Sequence, residues 1–245
     1  MSGATNPTTD SEHAASNSRR WWGLLVIVVA QLMIVLDVTI VTVALPSIQH
    51  ELGISSAERQ WVVTAYTLAF GGLLLLAGRI ADYTGRKRTF VIGLIGFAAA
   101  SAVGGASVNL GMLLAARAAQ GVFGALLAPT ALSLLTTTFP DPRERGTAFA
   151  VFGAVAGGGS AIGLTLGGVL TQYLSWHWVL YVNVPIAVAA AIGAVVTITP
   201  AARVRHRSRF DVTGAATVTA GLVALVYGFS AAVTRGWDAP LTLAW

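Results

Sequence analysis

Long apolar runs separated by short polar breaks divide this chain. The first run covers roughly residues 22–46, the second 60–80 and the third 89–105. Gly104, Gly105, Ser107 and Asn109 supply a short turn, and a fourth run then extends from Leu110 to Thr138, where Pro140, Asp141 and Pro142 end it. From Gly146 to Ala202 there is no Asp, Glu, Lys or Arg, a stretch too long for one helix. The sequence SWHW at Ser175 to Trp178 divides it into runs near 147–171 and 178–199. A basic linker at 201–211 precedes a seventh run at 212–234. A helix needs about 20 apolar residues to cross a bilayer, so the pattern predicts an all-α, polytopic membrane protein with seven spans.

Composition agrees with that pattern. The chain is 55% hydrophobic and 10% charged, with a mean hydropathy of +0.73, against about 25% charged residues in ordinary soluble domains. The pI near 10.2 does not indicate nucleic acid, because the basic residues lie between apolar runs and not on one soluble face. With no cysteine, disulfides and thiolate metal sites are excluded. The histidines at 13, 50, 177 and 206 are not at metal-ligand spacing, and no nucleophile has an evident base. GGGSAIG at 157–163 lacks the lysine of a phosphate-binding loop. No enzyme chemistry, metal or cofactor is therefore expected.

Residues 1–20 read as a disordered cytoplasmic tail ending in the anchor Arg19 and Arg20. A cleaved signal is the rival reading, but the apolar run continues to Pro46 without a small-residue cleavage site. Placing the tail in the cytoplasm puts twelve Lys and Arg residues on that side and two, Arg59 and Arg235, outside. That bias predicts an inner-membrane protein with a cytoplasmic amino terminus. Residues 235–245 then form an extracellular segment and the start of a further helix.

Two ionisable residues, Asp37 and Arg117, stand inside apolar runs, where facing lipid is costly. At about 1.5 Å per residue they lie roughly 13 and 10 Å from the outer ends of their helices, so a pair or a shared cavity is feasible. Arg117 has a second reading, in which its helix begins later and its side chain snorkels to the headgroups. Burial disfavours a charged carboxylate while a nearby guanidinium favours it, so a motion that changes their separation can load and release a proton.

A knot of five charges, GRIADYTGRKR at 78–88, forms one short turn between the second and third runs. The fifth run is rich in glycine, with Gly153, Gly157, Gly158, Gly159, Gly163, Gly167 and Gly168, and the 153/157 and 159/163/167 spacings put small residues on common helix faces. The spacing of Gly78, Asp82, Gly85, Arg86 and Lys87 resembles the loop signature between helices two and three of the major facilitator superfamily. Tyr83 departs from it, standing where that family usually has a basic residue. LDVTIVTVALPSIQ at 36–49 and RAAQGVFGALLAP at 117–129 resemble the first- and fourth-helix motifs of its fourteen-helix drug:proton antiporter branch. WHWVLYVNVP at 176–185 and the run at 210–230 resemble its sixth and seventh helices.

The resemblance implies the six-helix amino-terminal bundle of that fold at 21–200, plus a seventh, linker helix. It implies proton-coupled efflux of lipophilic or cationic small molecules, including antibiotics, with Asp37 and Arg117 handling the proton or substrate. Gly78, Asp82, Gly85, Arg86 and Lys87 would form a gating latch, and Gly159, Gly163, Gly167 and Gly168 a packing motif that lacks the family's proline after Gly163. Other readings are facilitated uptake of a small metabolite, or a non-transporting half that binds a full-length membrane partner. The expected partners are protons, a small-molecule substrate, lipid, and a missing carboxy-terminal half or second chain. A truncated product is expected, because RGWDAPLTLAW ends where an apolar segment begins.

Overall fold

The computed structural model describes residues 7–199, with side chains from Ser18 onward, and scattered helical positions between Gly214 and Gly228. Apart from those positions, the expected seventh helix, the linker with Arg203, Arg205, Arg207 and Arg209, and the segment 235–245 lie outside the described residues. The helices are α1 Pro7–Leu52, α2 Ser56–Thr84, α3 Arg86–Gly105, α4 Leu110–Thr138, α5 Pro142–Tyr173, α6 Trp178–Tyr181 and α7 Asn183–Thr197. Among the described residues six segments are long and apolar enough to cross a membrane, the sixth running through α6 and α7 over Trp178–Thr197.

Helix α1 extends past both expected ends. It begins at Pro7, within the stretch read as a disordered tail, although the apolar crossing segment starts at Ser18. Once a helix is nucleated each added residue gains a hydrogen bond, so polar residues can prolong it. It also continues through Pro46, since a proline removes one backbone bond without having to end a helix. Gly53 ends it, with φ +62° and the Ile54 N–H donating to Gln49 O at 3.2 Å, a Schellman stop. Ser55 then caps α2: the Glu58 N–H donates to Ser55 Oγ at 3.3 Å, and the Ser55 N–H donates to Glu58 Oε2 at 2.8 Å.

The charged stretch 78–88 is not a turn of several residues. Helix α2 carries Arg79 and Asp82, α3 carries Arg86 to Arg88, and Gly85 alone lies between them. Its φ of +95° reverses the chain in one step, a backbone region that favours glycine. Its N–H bonds Ala81 O and its carbonyl accepts from Thr89 N, both at 3.0 Å, so it closes one helix and opens the next.

Glycines let the helices approach closely. A methyl group at Gly121 of α4 would overlap Tyr66 O of α2, and one at Gly96 of α3 would overlap the Phe123 ring of α4. The apolar core forms two clusters. One joins Ile27, Met33, Phe90, Phe97, Leu127 and Phe139, and the other Ile40, Ile48, Val62, Leu113 and Trp176. Between them lies the polar centre of the bundle.

Contacts at the helix ends define two poles. At one pole Arg20 pairs with Glu144 of α5 at 3.5 Å. There Arg19 donates to the Val196 and Thr197 carbonyls, and Lys87 Nζ donates to Val195 O at 2.7 Å, closing the carboxy end of α7. At the other pole Arg59 donates to Gln49 Oε1 at 2.9 Å and His177 stands 3.9 Å from Glu51. The helices therefore run alternately up and down.

Candidate functional site

Asp37 of α1 and Arg117 of α4 meet inside the bundle: Arg117 donates through a terminal nitrogen to Asp37 Oδ2 at 2.6 Å. Asp37 is 0% exposed and Arg117 1% exposed, so Arg117 does not snorkel to the headgroups. The similar depths inferred along the two helices become a direct charge-assisted bond.

Neutral residues complete the node. Gln120 lies one turn after Arg117 on the same face of α4, and donates through Nε2 to Asp37 Oδ1 at 2.9 Å and to Ser101 Oγ of α3 at 2.8 Å. Its Oε1 accepts from Arg117 at 2.8 Å, so the two bonding directions fix the orientation of the amide. Asn183, the first residue of α7, donates through Nδ2 to the same Asp37 oxygen at 2.8 Å. Arg117 Nε donates to Val62 O of α2 at 3.2 Å, and its guanidinium stands 4.5 Å from the Tyr66 ring centre, a cation–π contact. Helices α4 and α7 thus bind the α1 carboxylate directly, and α2 and α3 join the node through Arg117 and Gln120. Two polar atoms of this region are buried without a hydrogen-bond partner: Asn183 Oδ1 and the Tyr66 hydroxyl.

The residues 159, 163 and 167 form a second group. A methyl at Gly159 would meet Leu32 and Val35, one at Gly163 would overlap the Thr39 side chain, and one at Gly167 would lie 3.1 Å from Ile40 Cα. This row is the seat of α1 on α5. Gly168 does not join it, and neither do Gly153 and Gly157: nothing stands within 4 Å of a methyl at any of them.

The expected latch residues are dispersed. Gly78 packs near Pro129 of α4, Gly85 makes the reversal, and Lys87 reaches the end of α7. Asp82 is exposed and, among the described residues, has no hydrogen bond or ion pair to Arg86 or Lys87. Ser101, Gln120, Asn183 and Tyr66 were not singled out from the sequence. The spacing of Gln120 from Arg117 was the one available signal, since residues three apart share a helix face.

A bundle of apolar helices closed around a fully buried ion pair defines a multi-pass membrane protein with a buried polar centre. The chain belongs to the Major Facilitator Superfamily, which matches residues 27–244. It is 54% identical over 215 residues to the puromycin resistance protein pur8 of Streptomyces alboniger, across 87% of this chain and 42% of that protein. It is 46% identical over 209 residues to the cephamycin export protein CmcT of Amycolatopsis lactamdurans, across 85% of this chain and 43% of that one. The chain therefore spans under half the length of the curated relatives it matches. The fold is similar to that of the peptide transporter POT in complex with sulfate, with a TM-score of 0.65 at 15% identity, covering 90% of this chain and 48% of that one. It is also similar to a bacterial homologue of the human lysosomal transporter Spinster in an inward-facing conformation, with a TM-score of 0.60 at 19% identity, covering 73% and 42%.

Proposed function

We propose that this chain is the amino-terminal half of a proton-coupled exporter of lipophilic or cationic small molecules, antibiotics among them. In this reading Asp37 is the proton carrier and Arg117 its charge partner. The observation that carries the proposal is the carboxylate sealed among five helices and held by three donors. The printed roles of the puromycin and cephamycin relatives, resistance and export, support the substrate class.

The node is suited to coupling because Arg117 does not depend on Asp37 alone. With Asp37 neutralised, the guanidinium keeps Val62 O, Gln120 Oε1 and the Tyr66 ring. A proton, or a cationic substrate competing for the carboxylate, can then displace the ion pair without leaving Arg117 bare. Because the ligands come from different helices, exchanging one for another alters how those helices are tied together. The pole carrying Arg19, Arg20 and Lys87 is assigned to the cytoplasm by its positive charge. There Gly78, Asp82, Gly85, Arg86 and Lys87 form the gating latch, and the row Gly159, Gly163 and Gly167 holds α5 to α1. The domain boundaries proposed are a tail at 1–20, a bundle at 21–200, a linker at 201–211, a seventh helix at 212–234 and an outer segment at 235–245.

The test is efflux of a fluorescent lipophilic cation from cells producing this chain, alone and with a complementary carboxy-terminal half. Each is measured with and without a protonophore and beside Asp37→Asn. Efflux that the protonophore stops and Asp37→Asn abolishes is the expected result. Protonophore-sensitive efflux that persists undiminished in Asp37→Asn sinks the assignment of the proton to Asp37.

A further inference from the structure

The three donors on Asp37 suit a carboxylate, which only accepts. A proton on that carboxyl turns one oxygen into a donor, and the new O–H needs an acceptor inside the same closed shell. Most acceptors there already receive a bond: Gln120 Oε1 from Arg117, Ser101 Oγ from Gln120 and Val62 O from Arg117. The Tyr66 hydroxyl is also unbonded, but it lies beside Gly124, two turns along α4 from Arg117, and belongs to the ring that the guanidinium covers. Asn183 Oδ1 is different, being fully buried, unbonded, and part of the carboxamide whose Nδ2 already touches Asp37. Rotation about the terminal torsion of an asparagine is broad and roughly two-fold, so half a turn exchanges Nδ2 for Oδ1.

We propose that Asn183 is a positioning residue that reads the charge on Asp37. Its Nδ2 donates to the carboxylate, and on protonation its carboxamide turns over so that Oδ1 accepts the Asp37 O–H. The inference rests on the proton-coupling reading and deepens it. One proton from solution joins one carboxylate oxygen; the Asn183 amide keeps both hydrogens and Arg117 keeps its charge. The groups facing Asp37 are Arg117 from α4, with Tyr66 from α2 behind it, and the neutral Ser101 from α3. Helices α5 to α7 carry no Asp, Glu, Lys or Arg from Gly146 to Thr197, and Tyr181 packs on Gly105. Turning the carboxamide moves its N–H2 group to the side where Oδ1 stood. Proton binding thereby changes the hydrogen-bonding demand where α6 meets α7, which packs on α1 and α3.

The experiment is infrared difference spectroscopy of the full chain in lipid nanodiscs through a pH titration, with the asparagine side-chain carbonyls carbon-13 labelled. The chain has asparagines at 6, 17, 109 and 183, so Asn183→Leu identifies the relevant band and Asp37→Asn identifies the acid band. As pH falls, a carboxylic C=O band from Asp37 is expected, with a shift of the labelled Asn183 carbonyl at the same midpoint. In Asn183→Leu the labelled shift disappears and the acid band moves to higher wavenumber, because its O–H has lost its acceptor. An Asp37 acid band in the unsubstituted protein with no accompanying Asn183 shift overturns the inference and leaves proton coupling standing. An acid band at unchanged wavenumber in Asn183→Leu does the same. No acid band from Asp37 at any pH overturns both.

Discussion

Removing the Asp37–Arg117 pair from both sides at once should cost less than the two single losses added together. In Arg117→Met the carboxylate of Asp37 stays at 0% exposure with only the Gln120 and Asn183 amides to hold it. An uncompensated buried charge of this kind destabilises by about 3–5 kcal/mol. Asp37→Asn strands the guanidinium, whose remaining partners Val62 O, Gln120 Oε1 and Tyr66 offset part of a similar loss. The double variant leaves no buried charge, so its cost should fall short of the sum by roughly 2–3 kcal/mol, the upper part of the range for coupled neighbours. The assay is reversible unfolding in mixed micelles, followed by circular dichroism, for the parent, both single variants and the double. Losses that add to within about 0.5 kcal/mol would refute direct coupling through the 2.6 Å contact.

Other expectations follow from the packing. Gly163→Ala should destabilise by about 1–3 kcal/mol through overlap with Thr39. Gly168→Ala, with open space at its methyl, should be neutral or stabilise by roughly 0.5–1 kcal/mol through helix propensity, and thermal unfolding of the pair checks the contrast. Gly85→Ala should cost about 1–3 kcal/mol, because alanine is strained at φ +95°, again read by thermal unfolding. Lys87→Ala and Arg19→Ala should each weaken the last turn of α7 by about 0.3–1 kcal/mol, seen as faster hydrogen exchange near residues 195–199 and unchanged exchange in α4.

Much of the architecture is legible in one dimension, because entry of a segment into a bilayer is decided largely by its own length and hydropathy. The six crossing segments among the described residues follow the apolar runs, the break at Ser175–Trp178 included. Asp37 and Arg117 stand out for the same reason: an ionisable group in an apolar run needs a partner, and their depths follow from counting residues.

Tertiary structure alone decided the rest. Ser101, Gln120 and Asn183 are neutral and sit in apolar helices without drawing notice, and only the convergence of α1, α3, α4 and α7 lets Gln120 and Asn183 share Asp37 as acceptor while Ser101 accepts from Gln120. The glycines of α5 form several rows at helical spacing, and the position of α1 selects 159, 163 and 167 over 157 and 168. Lys87 reads as a loop charge until α7 ends beside it. Sequence determines which segments the membrane accepts, because that free energy belongs to each segment by itself. Which side chains meet is a property of pairs of helices, and it exists only once their faces have been chosen by packing.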